Sequence, residues 1–294
     1  MTKKNYRFKG HESFVLRDGW IHKGLREIEK DPFVFTKNSG ADVLGVGTNM
    51  AKSIRYWLRC ANLSEENGKQ GVQLSATGKL ILEKDTYLED VFSLLVIHCN
   101  IVKNKVQATA WNLFFYHYDE MEFTKEELVK SMITMVGQME EIPSFSEKSV
   151  ESDCEAILHM YVKKTERETD PEEKNVSPFG IFELLKQKDD VYWRNQPALQ
   201  LIPAEIVWYL LPDCVSKENA VSIDDLLVGE DSPGCILNLK RTGLIEKLEE
   251  LEMQGILQMN RTAGLDMVYL NEKKKKEDII KEYFQKKQKG EHRR

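Results

Sequence analysis

Two short stretches carry the residue types that could do chemistry. The first, "ADVLGVGTNMAKSIRYWLRCANL" over 41–63, sets Gly45 and Gly47 ahead of a segment bearing Lys52, Arg55 and Arg59. The second, "GHESFVLRDGW" over 10–20, gathers His11, Glu12, Arg17, Asp18 and Trp20. A glycine turn before a basic helix can cradle a nucleotide phosphate, or it can bend the chain so that the helix lies against DNA. The dinucleotide fingerprint requires a buried strand followed by G-x-G-x-x-G. Here Met50 stands where the third glycine belongs, "SGAD" is no strand, and the sequence contains no G-x-x-x-x-G-K-[ST]. A bound nucleotide is therefore not expected, and no cofactor is assigned.

The DNA reading is carried by position and charge. In a helix-turn-helix, the first turns of the second helix meet base edges and neighbouring basic groups hold phosphates. Thr48, Asn49 and Lys52 fall in those turns, with Ser53 and Tyr56 following; Asn49 suits adenine and Lys52 suits guanine. Arg55, Arg59 and Lys79 are the phosphate candidates. At the second stretch, His11, Glu12, Arg17 and Trp20 are read as a buried polar network. A His and Glu acid-base pair is the competing reading, but no nucleophile stands at a telling spacing, so no catalytic residue is assigned and an enzyme is not expected. His98, His117 and His159, among apolar neighbours, are read as structural.

The elements that must position these groups follow from periodicity. Trp20, Ile21, Leu25 and Ile28 mark a first helix that Asp31-Pro32 stops, and "NSGADVL" a short second one capped by Asn38 or Ser39. From Thr48, one helical face carries Met50, Ala51, Ile54, Trp57, Leu58 and Ala61; the other carries Thr48, Asn49, Lys52, Ser53, Arg55, Tyr56 and Arg59. Val72 and Leu74 before Thr77-Gly78, with Leu80-Ile81-Leu82 after, predict a hairpin that would be the wing. Residues 86–135 read as helices, one of them opened by a Thr124/Glu127 capping box, and a further helix covers 146–164. "PAEIVWYLL", "SIDDLL" with a Ser222 cap, "TGLIEKLEELEMQG" and the hairpin "ILQMNRTAGLDMVYL" repeat the plan, but the helix matching the basic one carries Glu246, Glu249, Glu250 and Glu252. Phosphates would repel it.

The expected fold class is thus mainly α with small β wings. It comprises a winged helix-turn-helix over 1–90, a helical middle over 91–165, an acidic loop or linker over 166–180, a second winged-helix-like module over 181–270 and a basic helical tail over 271–294. The tail is either a solvated end or an arm that touches phosphates. The chain of 294 residues is 41% hydrophobic and 31% charged, the balance of a globular protein. Its formal charge of −6 hides a partition, with 12 basic and 6 acidic residues over 1–63 and 10 and 5 over 271–294, around an acidic body. Five scattered cysteines make neither a disulfide framework nor a zinc set, so no metal is expected. No apolar run spans a membrane and no secretory leader is read, which places the chain in the cytoplasm.

Gly10, His11, Glu12, Ser13, Phe14, Arg17, Gly19 and Trp20, with Leu44–Met50 and Ser53–Trp57, resemble the G-H-E-[ST]-F-x-x-R-x-G-W and L-G-V-G-x-N-M-x-x-S-I-R-Y-W motifs of a bacterial domain-of-unknown-function family, number 4007. "LSATGKLIL", "SPFGIFELL" and "DSPGCILNL" extend the resemblance over roughly 7–270, leaving the lysine-rich tail outside. The resemblance implies a place beside phosphoadenosine-phosphosulfate-reductase-like and DNA phosphorothioation genes in phage-defence neighbourhoods, and supplies no catalytic residues. The expected function is a DNA-binding accessory or targeting subunit of such a DNA-modification or defence system. Its expected partners are double-stranded DNA and a reductase-like or other defence protein, and paired helix-turn-helix modules suit a homodimer. The alternatives are a non-catalytic adaptor for a reductase-like or helicase-like partner and a transcriptional regulator of such an operon.

Overall fold

The computed structural model describes residues 6–163, 176–262 and 265–291. It is mainly helical with three small antiparallel sheets among those residues. The chain groups into two compact units, residues 1–88 with 97–195 and residues 89–96 with 196–294. Most of the acidic 166–180 segment lies outside the described residues. Where it re-emerges, Pro178–Phe182 forms a 3-10 helix whose Ser177 cap accepts from Phe179 N.

The first unit opens with α1 (Trp20–Lys30), which buries Trp20, Ile21, Leu25 and Ile28, the stripe read from spacing. A 3-10 turn over Asn38–Gly40 leads into α2 (Ala41–Leu44). Neither Asn38 nor Ser39 caps that helix, because both lie at positive φ inside the turn and Gly40 takes the cap position. Gly45 closes α2 in the left-handed region at φ 64, and α3 (Thr48–Cys60) follows.

The hairpin expected around Thr77-Gly78 does not form there. A hairpin lies before it instead, with β1 (Ser64–Glu66) paired to β2 (Val72–Leu74) in the register Ser64↔Leu74 and Glu66↔Val72. Ala76–Lys84 is instead a helix, α4. Ser75 explains the change: its hydroxyl accepts from Gly78 N at 2.9 Å, as an N-cap does, and donates to Asn62 O at 2.6 Å.

The unit continues through α5 (Val91–Lys103, from Ile97 onward), α6 (Thr109–His117), β3 (Glu122–Thr124), α7 (Lys125–Gly137) and α8 (Glu147–Tyr161). The Thr124/Glu127 capping box opens α7 as its sequence requires. It closes with β4 (Leu185–Lys188) and β5 (Val191–Arg194), the latter lying between β3 and β4. Buried Trp57, Trp111, Phe114 and Tyr161 fill its core. His98 is structural, its Nδ1 2.9 Å from the Tyr161 hydroxyl, whereas His117 and His159 are exposed rather than core residues.

The second unit holds α9 (Ala204–Cys214), β6 (Ala220–Ser222), α10 (Ile223–Val228), α11 (Pro233–Leu237), α12 (Arg241–Met253), β7 (Leu257–Thr262), β8 (Leu265–Leu270) and α13 (Lys276–Glu291). Ser222 caps α10 by accepting from Asp225 N, and β8 is central in the order β6-β8-β7. The lysine-rich end is neither a solvated tail nor a free arm within the described residues. Ile279, Ile280 and Phe284 of α13 are buried, and Tyr283 stacks on Phe92 with ring centroids 4.0 Å apart. Asp90 accepts from the Tyr283 hydroxyl at 2.9 Å and pairs with Lys287 at 2.7 Å.

Candidate nucleic-acid interface

Only one of the two opening glycines needs to be glycine. Gly45 holds a left-handed turn, while Gly47 has φ −65 and open space where a Cβ would point. The pair turns the chain and aims α3. Thr48, Asn49 and Lys52 are exposed on the first two turns of that helix. The Thr48 hydroxyl donates to Asn38 Oδ1 at 3.1 Å, and Lys52 Nζ donates to Asn49 Oδ1 at 3.3 Å. No acidic residue occupies the first turn of α3.

Arg55 and Arg59 are half-exposed and engaged. Arg55 Nε and Nη2 each lie 3.0 Å from Glu66 Oε1, and Arg59 Nη1 lies 3.7 Å from Glu66 Oε2. Lys79 is exposed, but on α4 and not on a wing.

Two of the sequence-derived contacts are corrected. Ser53 is fully buried and Tyr56 is 2% exposed, so neither can meet DNA in this conformation. At Ser53 and Tyr56 the polar face of α3 is covered by the segment around 10–14, distant in sequence. Ser53 Oγ donates to Phe14 O at 3.2 Å, and Trp57 Nε1 donates to the same carbonyl at 3.1 Å. Gly10 lies so close to Tyr56 that a Cβ there would fall 2.3 Å from the ring.

The polar network expected around His11 forms with a different partner. His11 Nε2 lies 2.8 Å from Asp153 Oδ1 of α8, each side chain 1% exposed, and Lys9 N donates to the same oxygen at 2.9 Å. The imidazole stacks on Trp57 with the planes 18° apart and meets Trp111 edge-on. Glu12 is only partly buried, at φ 52, and Arg17 packs its guanidinium over Phe14 and Trp20.

Asp153 escaped the sequence reading, yet a signal existed. It sits on the apolar stripe of α8 with Val150 and Ile157, where a carboxylate needs a partner. Burial pushes its carboxyl above the usual range, with the His11 bond pulling against it. Nearby, burial pushes the Tyr56 hydroxyl well up and the Cys60 thiol to about 12, so both are protonated at neutral pH. Glu66 had no sequence signal, because its role depends on the hairpin register.

Among the described residues, no group of three or more His, Cys, Asp or Glu side chains is placed to hold a metal ion. No helix there is long and apolar enough to cross a membrane. No curated protein matches the chain. Two solved structures share the fold at 22% identity. One, described as a magnesium ion-bound SspB crystal structure, has a TM-score of 0.84 over 95% of this chain and 88% of its own. The other, an SspB crystal structure, has a TM-score of 0.83 over 96% and 90%. The family model described as protein of unknown function DUF4007 matches residues 8–284, so the match takes in most of the lysine-rich helix that motif resemblance left out. The chain belongs to the DUF4007 family.

Proposed function

We propose that the protein binds duplex DNA through the exposed start of α3, as an accessory or targeting subunit of a bacterial DNA-modification or defence system. The observation that carries this reading is the solvent-facing set Thr48, Asn49 and Lys52 on the first turns of a helix delivered by a glycine turn. The order helix, turn, helix, hairpin from Trp20 to Leu74 supports a winged helix-turn-helix, with β1 and β2 as its short wing. The family resemblance supplies the phosphorothioation and phage-defence setting, and a reductase-like defence protein is the second partner proposed.

The test is a duplex-binding titration across a salt series. A folded Lys52→Ala/Arg55→Ala/Arg59→Ala protein should lose affinity and flatten the slope of log K against log salt by about two to three units. Unchanged binding at low salt removes this face from the assignment. A protein adaptor is the second reading, favoured by Glu246, Glu249 and Glu252 on α12 beside exposed Met253 in the second unit. Retention of a partner by a pull-down, with no duplex shift, would select it. Because a structural neighbour is described as magnesium ion-bound, plasmid should also be incubated with the protein and magnesium. Nicked or linear product would replace both readings with an enzyme.

A further inference from the structure

We propose that Glu66 is a built-in competitor for DNA phosphate: its carboxylate occupies Arg55 and Arg59 in the free protein and yields them when duplex binds. This rests on the DNA reading of α3. Arg55 and Arg59 are one helical turn apart, and one carboxylate spans both, Oε1 on the first and Oε2 on the second. A guanidinium donates to carboxylate and to phosphate oxygens alike, so Glu66 presents the arginines with the chemistry they would meet on a DNA backbone.

The carboxylate is placed by structure and not by a loose loop. Glu66 ends β1 opposite Val72, and Val72 N in turn donates to Pro32 O at 2.8 Å. All three side chains are between 36% and 40% exposed. An ion pair so accessible contributes little to stability and is open to exchange with another anion. While it holds, two guanidinium charges present the field of one. Contact with phosphate then requires Glu66 to swing away, or to stay as a like charge beside the backbone.

The experiment compares duplex affinity for the wild type, Glu66→Gln and Glu65→Gln, and repeats the first substitution in an Arg55→Ala/Arg59→Ala background. Glu65 removes the same charge from the opposite face of the strand. Melting curves confirm that each protein is folded. Glu66→Gln should bind about fivefold tighter near physiological salt. Glu65→Gln should gain less, and the gain of Glu66→Gln should vanish without the two arginines. Equal affinity of Glu66→Gln and wild type overturns the proposal, as does an equal gain in Glu65→Gln or in the arginine-free background. Should one of these results overturn the competitor while the wild type binds duplex more tightly than the arginine variant, the DNA reading still stands. If none of the proteins retains duplex at low salt, the DNA reading falls and the competitor with it.

Discussion

The His11 and Asp153 pair shows what a single buried carboxylate does to the protein's response to pH. Desolvation raises the Asp153 carboxyl above its value in the unfolded chain, outweighing the His11 and Lys9 hydrogen bonds. A raised folded value means that the folded state binds the proton more tightly. The associated stability is fully present below the unfolded value of 3.8 and is lost as pH rises through the folded one. Asp153→Asn keeps an oxygen for Lys9 N and His11 Nε2 but cannot ionise. The stability of the wild type relative to Asp153→Asn should therefore be greater at about pH 4 than at about pH 7, read from urea unfolding at both. The opposite order would mean that the ionised pair is the favoured form. Asp153→Ala, which strips the acceptor from both donors, should lose about 1–3 kcal/mol.

At the scale of the element, α4 separates what spacing reveals from what it hides. Thr77-Gly78 reads as a turn, but Gly78 sits in the first turn of a helix because that turn is pressed against Leu63. A Cβ at Gly78 would fall 2.1 Å from Leu63 O. Alanine gains about 1 kcal/mol of helix propensity there, while the overpacking costs about 1–3 kcal/mol or more against a backbone oxygen that cannot rotate away. Gly78→Ala should thus lower the melting temperature although it improves the helix, and a raised melting temperature would return Gly78 to the status of an ordinary turn glycine. The same distinction explains the site. The stripes of α1 and the capping box of α7 were legible because their cause is local, three or four residues apart. Ser53 and Tyr56 were misplaced because polarity marks a solvent face only until another segment covers it, and the covering segment lies some 40 residues upstream. Asp153 was invisible as a partner for His11 for the same reason, across 142 residues.

Across the whole molecule, the partition into basic ends and acidic body does not mean two DNA-binding ends. In the second unit several lysines in and just ahead of α13 are met by carboxylates: Lys276 pairs with Asp213, Lys287 with Asp90, and Lys274, before the helix, with Glu282. The same helix is also anchored by apolar burial, with Phe284 5% exposed and edge-on to Phe92. The reach of the family match to residue 284 agrees with a helix that is part of the fold. Its basic composition is therefore read as balance for the acidic second unit, and its removal should be felt first in stability. Phe284→Ala empties a buried aromatic site and should cost about 3–5 kcal/mol in unfolding free energy. A charge-only change, Lys289→Ala on the exposed last turn, should stay within about 0.5 kcal/mol. Denaturant titration monitored by far-UV circular dichroism would separate the two variants. An unfolding midpoint for Phe284→Ala equal to that of the wild type would make the helix an appendage after all, and would reopen the reading of its lysines as a phosphate-contacting arm.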